Sequence, residues 1–470
     1  MTATLEAPPV PATPDLDAPG LVARLRSTFA TGRTRPFEWR RDQLRAMRRL
    51  LVERESDFVD ALRADLAKPP TEAYATDIGF VISEIDFTLK RLRRWMRPER
   101  VGTRLVTKPA RGRVVREPLG VVLVIAPWNY PVHLALAPMV GALAAGNCIV
   151  LKPSEVTPHT SAALARLVPQ YLDRECVAVV EGGVHETQAL LAERFDHIFY
   201  TGNGNVARVV MEAAAKHLTP VTLELGGKSP TIIDDTANLE IAARRVAWGK
   251  FLNAGQTCIA PDYVLVTEPV ADRFVAELGK AVETFYGSDP KSSPDYARIV
   301  DDRHWKRLNG LLTSGRVVLG GEGDEGSRYL APTVLRDIAP DAPVMQEEIF
   351  GPILPVLTVR SVDEAIDFVN DRDKPLALYL FSDSGDAQRK VLASTSSGGA
   401  CINATMYHVA VPSLPFGGVG PSGTGAYHGK KSFDTFSHEK SVLHKGVHPD
   451  PALAYPPYTK RKDKILRRFL

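Results

Sequence analysis

Residues 196–207 read Asp196-His197-Ile198-Phe199-Tyr200-Thr201-Gly202-Asn203-Gly204-Asn205-Val206-Ala207. The last six fit the pattern G-x-G-x-x-G/A. An apolar run before them predicts a strand over 196–201, and an alanine-rich helical pattern follows over 206–217. Strand, glycine turn and helix give the match its physical content. The glycines let the backbone turn tightly and approach a dinucleotide, and the unpaired amides of the helix start attract phosphate. Outward from this point, apolar strands are predicted over 119–126, 148–151, 177–180 and 221–225. Helices are predicted between them over 131–145, closed by Gly146, and over 161–172 and 186–193. Strands that are apolar throughout and separated by helices belong to a parallel sheet covered on both faces. This half has the layout of an α/β, Rossmann-like cofactor domain.

A second match, Gly418-Val419-Gly420-Pro421-Ser422-Gly423, is closer to the letter and weaker in substance. No useful strand precedes it and no helix follows, so it is read as a loop within the glycine-rich stretch 414–429. Glu224 stands about twenty residues beyond the first match, the spacing of a ribose-binding acid. It also ends a strand and runs into Leu225-Gly226-Gly227-Lys228, a setting equally suited to general-base chemistry. The residues alone leave both roles open. From Pro230 a second alternating series begins, with strands over 231–233, 263–267, 354–359, 376–381 and 400–403. Helices over 239–251, 271–284 and 362–369 lie among them. Upstream, 21–97 is helical. The stretch 102–117 reads as a two-stranded ribbon, with Leu105, Val106, Val114 and Val115 flanking a break at Pro109-Ala110-Arg111-Gly112.

A chain of 470 residues is too long for one core. Its net charge of +3 argues against nucleic acid as a partner. Cys148, Cys176, Cys258 and Cys401 are scattered, without CxxC spacing or a histidine cluster, so neither a metal site nor a disulfide scaffold is expected and a reducing compartment fits. No apolar run is long enough to cross a bilayer. The start, with Pro8, Pro9, Pro11, Pro14 and Pro19, reads as a disordered arm rather than a signal peptide, and a cytoplasmic location is expected. The tail ends Lys464-Ile465-Leu466-Arg467-Arg468-Phe469-Leu470. A solvated arm, or one packed on a partner subunit, is preferred there over a membrane-surface helix.

Five segments together resemble the aldehyde dehydrogenase superfamily. They are Pro127-Trp128-Asn129-Tyr130-Pro131, Leu151-Lys152-Pro153-Ser154-Glu155, Leu223-Glu224-Leu225-Gly226-Gly227-Lys228, Gly255-Gln256-Thr257-Cys258 and Gln346-Glu347-Glu348-Ile349-Phe350-Gly351-Pro352. The stretches 214–222, 414–420, 426–433 and 436–438 narrow the likeness to the class 3 branch, which includes fatty, aromatic and coniferyl-type aldehyde dehydrogenases. The resemblance covers about 21–458. It implies a discontinuous cofactor domain (21–100 and 118–225), an α/β catalytic domain (226–425) and a bridging β-ribbon element (101–117 and 426–448). That element would add strands to a partner's sheet in a homodimer. Arms at 1–20 and 449–470 lie outside.

The resemblance also implies roles. Cys258 would attack an aldehyde as a thiolate, and the Asn129 amide would stabilise the oxyanion. Glu224 would activate the water that hydrolyses the thioester, with Lys228 in support. Lys152 and Glu155 would hold the adenosine ribose of NAD or NADP, and Glu348 and Phe350 the nicotinamide ribose. Gly202, Asn203, Gly204, Asn205 and Val206 would lie along the pyrophosphate. The other three cysteines are read as inert buried hydrophobes, and His133, His217, His428 and His438 as packing or surface residues. Substrates implied are medium- or long-chain aliphatic or aromatic aldehydes, oxidised to carboxylic acids. Two alternatives stand beside this: a coenzyme A-acylating dehydrogenase, and a catalytically silent binding protein on the same fold.

Overall fold

The computed structural model describes residues 16–104, 107–450 and 452–469. The strand expected over 196–201 forms as His197–Thr201 with every residue buried. It pairs in parallel with Val121–Ile125 on one side and Val221–Glu224 on the other. Cys148–Lys152 and Val177–Val179 extend the sheet past Val121–Ile125. Gly423–Thr424 closes the far edge, antiparallel to Val221–Glu224, so the glycine-rich stretch expected to be loop contributes a short strand. Helix His133–Ala145 is buried on all sides, which explains its unbroken apolar sequence. It packs against helices Phe37–Glu53, Gly79–Leu89 and Gly429–Thr435.

The second series builds a seven-stranded sheet ordered Arg316–Leu319, Thr333–Arg336, Ile353–Val359, Tyr263–Thr267, Pro230–Ile233, Ala377–Phe381 and Gly399–Ile402. Its pairs are parallel except at the Arg316–Leu319 edge. The first two strands escape a periodicity reading because both are only four residues long and the edge one is half exposed. One hydrophobic cluster is built on the first sheet and extends to Ala377, Tyr379 and Cys401 of the second, and another belongs to the second sheet. Every fully buried Val, Leu or Ile in these clusters contributes about 1.5–3 kcal/mol. A one-residue slip in register is therefore prohibitive. The chain crosses between the sheets at 225–229, directly after Glu224.

The ribbon differs from expectation. Strands Glu99–Val101, Ala110–Pro118 and Ser437–Lys445 form a three-stranded sheet with Ala110–Pro118 in the centre. Ala110, Arg111 and Gly112, expected as a break, lie inside the strand, while Leu105 and Val106 fall outside the described residues. Gly112 faces Val101, and a Cβ there would stand 2.7 Å from Val101 Cγ2. The glycine makes room across the strands instead of turning the chain. Arg116 ties the sheet together, donating to Glu99 (3.1 Å), Glu439 (2.9 Å) and Asp434 (2.8 Å).

The expected N-terminal arm also ends earlier. Residues 1–15 lie outside the described residues, but helix Ala18–Ala30 starts within the arm, capped by Asp17, whose Oδ1 accepts from Gly20 N at 2.9 Å. An aspartate ahead of Ala18-Pro19 is a helix-start signal that the proline count obscured. At the other end Lys460–Phe469 is helical. Among the described residues no helix is long and apolar enough to cross a membrane, and no group of three or more His, Cys, Asp or Glu side chains is arranged to hold a metal.

Glu84, on helix Gly79–Leu89, accepts from Gly429 N at 2.5 Å and is pushed up to about 7 by burial. Its folded pKa exceeds the ordinary 4.5, so its stabilising proton is present at low pH and lost as pH rises through about 7. Glu84→Gln keeps the acceptor and removes the buried charge. Thermal melts should show its Tm about 2 °C above wild type at pH 8.5, the gain shrinking toward pH 5.

Candidate active site

The crossing at 225–229 decides what meets at the seam between the two sheets. Glu224 ends its strand there, 3% exposed, and neither carboxylate oxygen has a hydrogen-bond partner. Burial pushes its carboxyl well above the ordinary carboxylate range, which favours the neutral acid. It lines a cavity of about 570 Å³ together with Asn129 and Cys258.

Cys258 reaches this cavity through a strained turn. Helix Leu239–Phe251 runs into Leu252–Gly255, where Asn253, Ala254 and Gly255 take φ of 52°, 51° and 75°. Left-handed backbone costs about 1–2 kcal/mol at each non-glycine position, so surrounding bonds must hold it. Asn253 Nδ2 donates to Asn129 O (2.8 Å) and to Gln256 O (3.2 Å). Gln256, fully buried, donates to Asn253 O (2.9 Å) and Arg298 O (3.0 Å) and accepts from Val300 N (2.9 Å). Thr257 Oγ1 lies 2.6 Å from Tyr130 Oη. The Gln-Thr pair before Cys258 is thus a mounting for the cysteine. Burial pushes the Cys258 thiol up, and negative charge on Glu348 and Glu224 adds to the shift. Asn129 is buried, and its Nδ2 donates to Gln256 O at 3.1 Å, beside the same turn.

Glu348 and Phe350 line the cavity on the side of the second sheet. The Glu348 carboxyl lies against Gly226, where a Cβ would stand 1.9 Å from Glu348 Oε2. Burial, with Asp262 nearby, pushes Glu348 up to about 8, and its Oε1 has no partner. Lys228 differs from expectation: it supports this segment and not Glu224. Its Nζ donates to Asp262 Oδ2 (2.5 Å), Val344 O (2.8 Å) and Glu347 O (2.9 Å). The turn at Gly226-Gly227 carries it across the seam before its side chain begins.

At the other end of the cavity lie Lys152, Glu155, Gly202, Asn203 and Val206. Lys152 is buried and donates to Pro153 O (2.8 Å) and to the half-exposed Glu155 (3.4 Å). Asn203 caps helix Gly204–Ala215, its Oδ1 accepting from Val206 N at 3.0 Å. The cap consumes the Val206 amide and leaves those of Gly204 and Asn205 for an anion. Gly204 and Asn205 themselves do not line the cavity, and the Asn205 side chain accepts from Arg208 at 3.1 Å. The orphaned Glu348 oxygen, the room kept at Gly226 and the open helix start fit a dinucleotide. Arg303, His304 and Arg307, on helix Asp302–Leu311, also line the cavity and were not among the residues expected there. Arg307 donates to Ile349 O at 2.7 Å, and His304 meets Trp128 edge-on at 4.9 Å. Their only sequence signal was the i, i+4 placement of two arginines.

Comparison with known proteins gives the family. The aldehyde dehydrogenase family model matches residues 10–442. Aldehyde dehydrogenase family 3 member A2 of Rattus norvegicus is 52% identical over 96% of this chain and 93% of its own. The dimeric NADP-preferring aldehyde dehydrogenase of Mus musculus is 51% identical over 93% and 97%. A substrate-bound structure of Staphylococcus aureus AldH superposes with a TM-score of 0.94 at 46% identity, covering 96% of this chain and 99% of that one. A Mycobacterium tuberculosis aldehyde dehydrogenase solved with NAD+ gives a TM-score of 0.83 at 30% identity, covering 93% and 92%. The chain belongs to the aldehyde dehydrogenase family, in a class 3-like branch. It is an enzyme that oxidises aldehydes with NAD or NADP as cofactor.

Gly226→Ala tests the fit at Glu348. The added methyl must displace the carboxyl, so the KM for NAD should rise at least about tenfold. The melting temperature should change little, because the displaced side chain faces the cavity.

Proposed function

We propose that the chain converts aldehydes to carboxylic acids through a covalent thioester on Cys258, hydrolysed by water that Glu224 activates. The observation that carries this is the placement of Glu224: a buried carboxyl with both oxygens unpartnered, in the same cavity as Cys258. An unpartnered buried carboxyl is costly for stability and suited to moving a proton. In the first step the Cys258 sulfur bonds to the aldehyde carbon and releases its thiol proton, giving a thiohemiacetal. The Asn129 amide, with the Cys258 backbone N–H, stabilises the oxyanion; one such donor is typically worth about 3 kcal/mol. A bound nicotinamide ring supplies the acceptor for the hydride that leaves this carbon. Glu224 then takes a proton from water as the water attacks the thioester. The acid departs and Cys258 regains its proton.

Lys152 and Glu155 would hold the adenosine ribose, and Glu348 and Phe350 the nicotinamide ribose. Gly202, Asn203 and Val206 would flank the pyrophosphate, with the amides of Gly204 and Asn205 toward it. Glu155 would oppose a 2′-phosphate and its partner Lys152 would offset that, so use of both NAD and NADP is proposed. Trp128 and Leu134 add apolar surface to the cavity that holds Cys258 and Asn129. This favours apolar aldehydes, medium- or long-chain aliphatic or aromatic. The nine-residue edge strand Ser437–Lys445 is exposed along most of its length and suits strand addition in a homodimer.

Cys258→Ala should abolish NADH formation. Glu224→Gln should release about one equivalent of NADH per site in a burst and then turn over at least about a hundredfold more slowly. A strict requirement for coenzyme A would instead identify an acylating enzyme. A panel of hexanal, decanal, benzaldehyde and coniferaldehyde, each with NAD and NADP, ranks the substrates.

Burial holds the Cys258 and Glu224 protons in the resting enzyme, and the reactive forms are the deprotonated ones. Activity is therefore suppressed at low pH and recovered as pH rises. Plots of log kcat/KM, which report the Cys258 step, and of log kcat, which takes in the Glu224 step, should both climb from pH 6 to pH 9, and two flat profiles would exclude both groups as rate-controlling.

A further inference from the structure

Behind the active site lies an ion pair that the proposed chemistry does not use. Lys68 and Asp77 are both fully buried, with Lys68 Nζ 2.7 Å from Asp77 Oδ2. Their positions in the chain are unusual. Lys68 follows the left-handed Ala67 that ends helix Glu55–Leu66, and Asp77 sits in a π-helical turn, Tyr74–Ile78. Such turns are rare and concentrate at functional sites. A buried ion pair is weak evidence for stability, because apolar residues of the same volume usually serve as well or better. What distinguishes this one is the segment it grips.

Buried Glu72 lies close enough to feel both charges, but among the described residues the pair's other side-chain hydrogen bonds, and the ring beneath Lys68, belong to residues 129–133. Lys68 Nζ donates to the Asn129 carbonyl at 3.2 Å and stands 4.2 Å above the Tyr130 ring. Asp77 Oδ1 accepts from Val132 N at 3.2 Å and from His133 N at 3.1 Å. The same segment is also held by the Cys258 turn, through Asn253 to Asn129 O and through Thr257 to Tyr130. The Asn129 backbone is therefore clamped between a cation and the cysteine mounting. Its side-chain amide is left pointing at Gln256 O, two residues from Cys258.

We propose that Lys68, locked against Asp77, is a positioning residue for the oxyanion contact: it fixes the Asn129 backbone so that the Asn129 amide meets the substrate oxygen. This rests on the reading of Asn129 as an oxyanion donor. A charged anchor suits the task because a hydrogen bond from an ionised donor is stronger than one from a neutral donor. Oxyanion donors must also be fixed before charge develops.

A double-mutant cycle tests it with the full chain. Lys68→Met alone leaves Asp77 buried and unpaired, which is strongly destabilising. The main variant is therefore Lys68→Met with Asp77→Asn, which removes both charges and keeps the volume. Circular dichroism and NAD titration establish its fold and cofactor affinity, both expected to match wild type. Its kcat should fall about 10- to 100-fold, with the aldehyde KM within about threefold. Asn129→Ala alone should lower kcat about 100- to 1,000-fold. In that background the Lys68/Asp77 change should cost less than about threefold, because the amide it positions is gone. Asp77→Asn alone keeps the Lys68 bond to Asn129 and should cost less than the pair. A wild-type kcat in the paired variant, or an undiminished loss in the Asn129→Ala background, overturns the proposal. So does a loss in Asp77→Asn as large as in the pair. If Asn129→Ala itself leaves kcat unchanged, the oxyanion reading fails, and that result is separate from the Lys68 measurement.

Discussion

The 2.8 Å hydrogen bond from Asn253 Nδ2 to the Asn129 carbonyl joins loops that belong to the two different sheets. Asn129 belongs to the loop after Val121–Ile125 in the first sheet, and Asn253 to the turn that delivers Cys258 from the second. Each sheet has a hydrophobic cluster, and the first cluster also takes in Ala377, Tyr379 and Cys401 of the second sheet, so apolar burial brings the halves together but does not by itself set the atomic relation of their loops. Directional bonds across the seam supply that relation. They also stabilise three consecutive left-handed residues, a conformation that Asn253 and Ala254 would not adopt unsupported. The cysteine is presented because the turn is strained, and the turn persists because both sides of the seam hold it.

The electrostatics of the cavity follow from the same enclosure. Burial raises Glu224, Glu348 and the Cys258 thiol together, and each acid that ionises makes the next harder to ionise. The resting site therefore stores protons. Chemistry that needs a thiolate first and a carboxylate base later can draw on both groups without holding two adjacent negative charges at once. Lys250 is fully buried with an unpartnered Nζ and is lowered to about 8 by burial, with Lys228 adding to the shift and Asp262 and Glu348 opposing it. It is a poor permanent counter-ion, which leaves the acids governed by desolvation.

Much of this was legible in the sequence, for local reasons. Strands apolar at every position, Gly146 after a helical run and the G-x-G-x-x-A turn each report a backbone requirement of their own few residues. The corrections mark where that logic stops. Gly112 looked like a turn because a glycine usually is one; its partner Val101 is eleven residues upstream, and only pairing reveals the crowding. Lys228 looked like a neighbour of Glu224 because it is one in sequence, while Gly226-Gly227 send it to Asp262 on the other side. Asp17 started a helix that nearby prolines disguised.

The sequence by itself determined the alternation of elements, the two-sheet organisation and a short set of chemically able residues, because periodicity and turn chemistry are properties of contiguous chain. Only the tertiary structure decided that Glu224 loses its hydrogen-bond partners at the seam. It likewise decided that Lys68 and Asp77, nine residues apart, close on a loop some sixty residues further on. Desolvation and buried charge pairing depend on what surrounds a group on every side. That surrounding exists only once distant segments have packed.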